Sequence, residues 1–290
     1  MKLIVGCGYL GLRVARRWQA LGHDVYVTTR SDSRAAALSA EGLRPIVVDV
    51  TQPDLARHAP FRELTNLDTL LFAVGYDRGS GQSITEVYGP GLSNVLDSLT
   101  NVGRVIYIST TGVYGSGDGD WVDESTPCKP LRDGGRASLD AEQRLAAHPL
   151  GNRGVVLRLA GIYGPGRIPR AAALKAGEPI DAPADGFLNL IHVDDAAEIL
   201  LAAEARSQPP AMYVVSDGHP VERREYYAEL ARLVDAPPPV FVSPDPTSPA
   251  AKRAASDKRV RNEKLVRELS VTFRYPSYRD GLAAIINSGG

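Results

Sequence analysis

The sequence is short of cysteine, of long apolar runs and of any excess of charge. Its 290 residues include only two cysteines, Cys7 and Cys128. Two thiols cannot build the disulfide framework of a small secreted scaffold, and nothing else in the chain points to an oxidising compartment. Lysine and arginine number 33 against 34 aspartates and glutamates, a formal net charge of −1, so no whole-chain field recruits nucleic acid. No apolar stretch approaches the length of a membrane span. The opening run Met1-Lys2-Leu3-Ile4-Val5 meets glycine too soon for a secretory signal and reads as a strand. Zinc-ligand spacing, a glycosidase carboxylate pair and a nucleophile elbow are also missing, and no metal is expected. These absences point to a cytoplasmic protein whose partner is a small molecule rather than nucleic acid or membrane. Self-association as a homodimer stays open.

Hydrophobic residues make up 43% of the chain, enough for a sizeable core. Short apolar runs at 2–5, 25–28, 45–48, 69–74, 104–108 and 155–159 read as strands. Helical spacing fills the intervals, as in Leu10, Val14, Ala15, Trp18 and Leu21. Continuous apolar strands alternating with helices predict an α/β fold with a parallel sheet covered on both faces. The stretch Gly115 to Gly135, rich in glycine, aspartate and proline, is too long for an idle connection in a compact domain. Beyond Gly164-Pro165-Gly166 the elements shorten and prolines cluster. The expected division is a dinucleotide-binding domain over 1–163 and a small lobe over 164–290. Part of that lobe, about 187–215, returns to the first domain.

The turn Gly6-Cys7-Gly8-Tyr9-Leu10-Gly11 leaves the first strand and opens the first helix. Glycines at this spacing let backbone approach a pyrophosphate, and the helix N-terminus supplies free N–H groups and a positive dipole end. The fold class is therefore a Rossmann-type doubly wound sheet. An NAD site usually ends its second strand with an acid that accepts from the ribose hydroxyls. Here the strand runs into Thr29-Arg30-Ser31, with Arg34 three positions on. A guanidinium suits the extra phosphate of NADP, so NADP is expected over NAD. Asp49 and Val50, after the third strand, are placed for adenine, although Asp49 equally suits a turn cap. Ala73, Val74 and Gly75, after the fourth, complete the expected cofactor set.

Several ordered segments resemble the extended short-chain dehydrogenase/reductase superfamily in its nucleoside-diphosphate-sugar epimerase/dehydratase branch. They are Gly6 to Gly11, Asp49 to Thr51, Ser109 to Gly115, Arg158 to Gly166 and Ile191 to Asp195. The resemblance implies about seven strands and a small C-terminal substrate lobe. It also implies a hydroxyl residue after the fifth strand, matched by Thr110, working with a Tyr-x-x-x-Lys pair one helical turn apart. The helix carrying Glu142 should show that pair at 134 and 138 but has Gly134 and Ser138. No tyrosine in the chain has a lysine four residues later. The usual acid/base assignment therefore does not carry over.

Other acid/base candidates are Tyr76 and Asp77, directly after the fourth strand, and Tyr114, although Tyr114 reads better as packing. Thr110, Tyr76 and Tyr114 form the catalytic set to be located. Glu124 and Asp123 lie in the long loop, where solvation is the commoner fate. Asp194-Asp195 behind His192 read as capping charges on a helix N-terminus. Arg167, Arg170, Lys175, Lys252 and Arg253 are candidates for an anionic substrate, with ordinary surface charge the simpler reading of each. Two functions fit. One is an NAD(P)-dependent oxidoreductase or epimerase/dehydratase-like enzyme on a small substrate, nucleotide-linked among the options, with a non-standard acid/base residue. The other is a non-catalytic NADP-binding sensor or regulatory protein.

Overall fold

Buried strands in this chain are apolar on both faces, and that decides where they go. The computed structural model describes residues 1–115, 118–245, 247–248, 251 and 256–288. In chain order the first elements are β1 (Lys2–Val5), α1 (Gly11–Ala20), β2 (Val25–Thr29), α2 (Asp32–Ala40), β3 (Arg44–Val47), α3 (Ala59–Arg62) and β4 (Leu67–Phe72). Next come α4 (Ile84–Asp97), β5 (Val102–Thr110), β6 (Trp121–Val122), α5 (Asp133–Ala147) and β7 (Gly154–Leu159). Then follow β8 (Gly161–Tyr163), α6 (Ala171–Lys175), β9 (Ile180–Asp181), β10 (Phe187–Leu188), β11 (Leu190–His192), α7 (Val193–Arg206) and β12 (Ala211–Val215). The remainder includes β13 (Val221–Glu222), α8 (Arg223–Leu233), β14 (Phe241–Val242), β15 (Arg259–Val260) and helices Glu263–Leu269 and Tyr278–Asn287.

A seven-stranded sheet runs in the order β12-β7-β5-β4-β1-β2-β3, the doubly wound α/β arrangement expected. The pairs β1–β2, β1–β4, β2–β3 and β4–β5 are parallel. Pro45, which has no N–H for a ladder, is tolerated because β3 is the edge strand. Strand order reverses around β1, which places the carboxyl ends of β1, β2 and β4 beside one crevice.

The chain forms two units. The first comprises Met1–Thr110, Asp133–Arg158 and Ala197–Tyr213, and the second Thr111–Arg132, Leu159–Ala196 and Val214–Gly290. The stretch 111–132, expected with the dinucleotide domain, thus falls in the second unit. There Trp121 and Val122 pair in parallel with Arg259 and Val260, so the loop carries a strand of its own.

Buried charges in the first unit are matched. Glu204 accepts from the Lys2 ammonium at 2.5 Å and from Trp18 Nε1 at 2.7 Å, and also from the Thr69 hydroxyl. Glu142 on α5 takes Arg158 of β7 through Nε at 3.0 Å and Nη2 at 2.6 Å, and the Ser109 hydroxyl at 2.5 Å. Losing one partner of such a pair strands the other charge, typically at about 3–5 kcal/mol. Helix α4 starts on a capping box between Ser83 and Glu86. Helix α5 begins at Asp133, earlier than apolar spacing suggests, with Arg136 on Asp133 at 2.6 Å in its first turn. Among the described residues no helix is long and apolar enough to cross a membrane.

Candidate functional site

The first unit holds a cleft of about 280 Å³ at the carboxyl ends of β1, β2, β3 and β4. Its floor is the glycine turn. Gly6 has φ +96°, and a Cβ there would stand 2.6 Å from the Ala73 carbonyl carbon and oxygen. Only glycine fits this close crossing of two loops. A Cβ on Gly11 would strike the Gly6 carbonyl oxygen, so Gly11 lets helix and strand approach. Gly8 differs from both, since a Cβ there meets nothing within 4 Å. The backbone at Gly8 borders open space. Helix α1 starts beside it with no side-chain cap and no acid in its first turn. Its positive end is left for an anion.

The turn is held from β2, where Thr28 Oγ1 accepts from Gly6 N–H at 3.0 Å. Cys7 is buried, and burial pushes its thiol up to about 11, so it stays protonated at neutral pH and acts as a small filler.

The second and third walls carry the polar groups. Arg30, just after β2, donates through Nη2 to Asp77 Oδ2 at 2.7 Å. Asp77 Oδ1 accepts from Gly79 N–H at 2.9 Å, and that bond together with Arg30 lowers the carboxyl from its usual range. Ser31 caps α2 by accepting from Arg34 N–H at 3.3 Å. The half-buried Arg34 guanidinium has no ion pair among the described residues. Asp49 Oδ1 accepts from Thr51 N–H at 2.9 Å and from the Thr51 hydroxyl at 2.8 Å, and Oδ2 accepts from Gln82 Nε2 at 3.1 Å. Partial burial alone would raise this carboxyl, but the bonds from Thr51 and Gln82 and the charge of Arg30 bring it below the usual value. Asn94 Nδ2 donates to the carbonyls of Val50 and Gln52 at 2.9 and 3.2 Å, which fixes the loop that presents Asp49.

Of the expected cofactor residues, Gly6, Cys7, Gly8, Arg30, Asp49, Val50, Val74 and Gly75 line this cleft together. Tyr9, Leu10, Gly11, Ser31, Arg34 and Ala73 do not line it. Arg13 stacks on the Tyr9 ring, Leu10 is buried, and Ala73 supplies the carbonyl that Gly6 skirts. Thr28, Asp77, Ser80, Gln82 and Val87 line the cleft without having been assigned to the cofactor. Thr51 is legible as the partner of an Asp-x-Thr turn. Gln82 has no sequence signal, because it arrives from a loop of unpredictable course.

Of the catalytic candidates, Thr110 and Tyr76 belong to the first unit and Tyr114 to the second. Thr110 ends β5 half-buried in the first unit. Tyr76 donates its hydroxyl to the Gln82 carbonyl at 3.1 Å. Tyr114 is 1% exposed in the second unit, which suits packing rather than proton transfer. Ser138, where the resemblance expects lysine, is 2% exposed and lies beside the Tyr107 hydroxyl.

In the second unit Glu124 Oε1 accepts from Val214 N–H at 2.7 Å, and Asp123 forms a turn with Ser125 and Thr126. Asp194 and Asp195 sit in the first turn of α7. Asp195 accepts from the N–H groups of Arg274 and Tyr275 at 2.8 and 3.0 Å, while buried His192 accepts through Nδ1 from Asp194 N–H at 3.2 Å. No metal-ligand cluster occurs among the described residues. Arg167 and Lys175 are exposed and Arg170 half-buried. Lys252 and Arg253 lie outside the described residues.

The NAD dependent epimerase/dehydratase family model matches residues 3–216. Protein YeeZ of Escherichia coli (strain K12) is 29% identical, covering 94% of this chain and 95% of its own. A functionally unknown conserved protein from Silicibacter pomeroyi, of solved structure, is 33% identical with a TM-score of 0.76, covering 99% of this chain and 98% of its own. The 2-alkyl-3-oxoalkanoate reductase of Stenotrophomonas maltophilia (strain K279a) is 29% identical, covering 82% of this chain and 77% of its own.

Proposed function

The chain belongs to the NAD dependent epimerase/dehydratase family, and from that premise we propose that it is an NADP-using oxidoreductase or epimerase-like enzyme. Its substrate is a small molecule. The observation that carries this reading is the cleft in the first unit, where Gly8 borders open space, α1 starts uncapped and Arg30 stands where an NAD site has an acid. Pyrophosphate fits the turn and helix end by charge and by available N–H groups. Adenine fits beside Asp49, and the 2′-phosphate of the adenosine ribose fits Arg30 by bidentate hydrogen bonding. The bound cofactor supplies hydride chemistry. Thr110, at the carboxyl end of β5, has a hydroxyl that can donate to a substrate carbonyl or accept from a substrate hydroxyl. The reductase activity in the name of the Stenotrophomonas relative favours a carbonyl substrate.

A second reading is a non-catalytic NADP-binding sensor, favoured by Gly134 and the buried Ser138 in place of a tyrosine and lysine. Turnover separates the two. Purified protein with NADPH and a panel of aldehydes, ketones and sugar nucleotides should oxidise cofactor with at least one substrate class. Tight NADPH binding with no turnover across the panel would transfer the assignment to the sensor.

A further inference from the structure

Lys258 is buried in the second unit with no ion pair among the described residues. It stands one residue before β15 and is 6% exposed. Other buried cations are provided for: Lys2 has Glu204, Arg158 has Glu142, and Arg223 donates to the main-chain oxygens of Pro183 and Asp185. The Lys258 ammonium makes one hydrogen bond, to the neutral Ser256 hydroxyl at 2.7 Å. An ammonium carries three donors, so two N–H groups have no acceptor among the described residues. No carboxylate of those residues lies within 4.0 Å of it. The residues outside the description carry no acidic side chain.

The charge around Lys258 aggravates its position. Burial and repulsion from Arg132, half-buried in the same unit, outweigh the attraction of the adjacent Asp257 and push the ammonium down to about 8. Asp257, the adjacent residue, has Oδ1 committed to Phe187 N–H at 2.7 Å. The lysine is not placed by a loose chain. Its carbonyl accepts from Asn189 Nδ2 at 2.8 Å, Asn189 Oδ1 accepts from Val260 N–H at 2.8 Å, and Val260 pairs with Val122 of β6. A buried lysine lacking an anionic partner is rare, because an unpaired charge in a protein interior is costly. We propose that Lys258, with Ser256 and Arg132, forms a binding site for a small oxyanion, the phosphate or carboxylate group of a small-molecule ligand. An oxyanion supplies acceptors for both unused N–H groups and offsets two like charges at once. The residues of this site belong to the second unit, and the proposal stands whether or not the protein turns over a substrate.

The test follows the lysine Nζ and Cε resonances of full-length protein across pH. Lys258 is assigned by its loss in Lys258→Met, and titrations are run in chloride, inorganic phosphate or acetate at constant ionic strength. In chloride Lys258 should titrate near 8. A bound anion favours the charged form, so phosphate, acetate or both should raise that midpoint by about half a unit or more, equivalent to about threefold or greater binding preference for the charged lysine. Phosphate alone or acetate alone identifies the class, and both together identify a general oxyanion site. Arg132→Gln should shrink the shift. If neither anion moves the Lys258 midpoint, the proposal is overturned. An unfolding scan gives an independent readout. Phosphate or acetate should raise the midpoint of the wild-type protein but not of folded Lys258→Met, and equal stabilisation of both would also overturn the site.

Discussion

Arg30 and Asp77 meet at 2.7 Å although they follow β2 and β4, with β1 and its glycine turn lying between those strands. The pair therefore reaches across the carboxyl edge of the first unit's sheet where a dinucleotide is expected. Both side chains are about half exposed, so the pair is weak and opens easily. Only Nη2 of Arg30 is engaged, and the rest of the guanidinium fork has no acceptor among the described residues. Asp77 orients Arg30 and also sets a negative charge beside the position proposed for a phosphate. Asp77→Asn should tighten NADP(H) binding by up to about fivefold and leave NAD(H) nearly unchanged. Arg30→Ala should abolish the difference between the cofactors. Parallel titrations check this, and an NADP preference that survives in Arg30→Ala would remove Arg30 from the account.

The three glycines of the turn should respond differently to enlargement. Gly6→Val and Gly11→Val drive a side chain into backbone and should cost about 2–4 kcal/mol or prevent folding. Gly8→Val points into open space and should fold with a native unfolding midpoint and circular dichroism spectrum. Thermal unfolding of the three variants distinguishes them. A Gly8→Val protein as unstable as the others would contradict the open geometry.

Asp217 in the second unit gives a pH signature. It is buried, its Oδ1 accepts from His219 N–H at 2.9 Å, and its Oδ2 has no hydrogen-bond partner among the described residues. Burial, reinforced by the charge of Asp195, pushes this carboxyl up to about 7. A folded-state pKa above the unfolded value means that the folded state holds a proton the unfolded chain has released. The stability present below the unfolded carboxylate pKa of about 4 is therefore lost progressively as pH rises towards 7, by an amount on the order of a few kcal/mol. Asp217→Asn should remove that slope and be the more stable protein at pH above about 7. Denaturant unfolding across pH measures it, and parallel pH profiles for both proteins would show that Asp217 does not titrate there.

On a substrate that is turned over, Thr110→Val should slow the reaction and Ser138→Ala should not, because Ser138 is buried and uncharged. Tyr114→Phe should also be silent in rate, since Tyr114 is buried. Removing a true acid/base residue costs about a hundredfold or more. Tyr76→Phe tests the remaining tyrosine, whose hydroxyl reaches the Gln82 carbonyl rather than another side chain. Full rates in both Thr110→Val and Tyr76→Phe would place the chemistry on other residues.

The sheet was legible because its strands are buried on both faces and so read as unbroken apolar runs, from Leu3-Ile4-Val5 to Val155-Val156-Leu157. The glycine turn was legible because each glycine answers a steric or ligand requirement that spacing encodes. The cleft's far wall was legible only in part. Asp77 was legible as a residue directly after the fourth strand, but Gln82 enters through a loop whose path depends on tertiary contacts such as Gln82 Nε2 to Thr51 Oγ1 at 2.6 Å. The pairing of Trp121–Val122 with Arg259–Val260 was hidden for the same reason: residues far apart in sequence supply each strand's partner. Two-residue strands carry no periodicity to detect. The burial of Lys258 was equally invisible, since a lysine in a basic segment reads as surface.

The central claim is that the glycine turn of the first unit holds a nicotinamide dinucleotide, and calorimetric titration of wild-type and Gly8→Val protein with NADPH tests it most directly. The wild-type protein should bind one equivalent of NADPH per chain, and natively folded Gly8→Val should bind none, because its side chain occupies the space the pyrophosphate needs. Equal NADPH affinity in the two proteins would contradict the assignment of the cofactor to this turn.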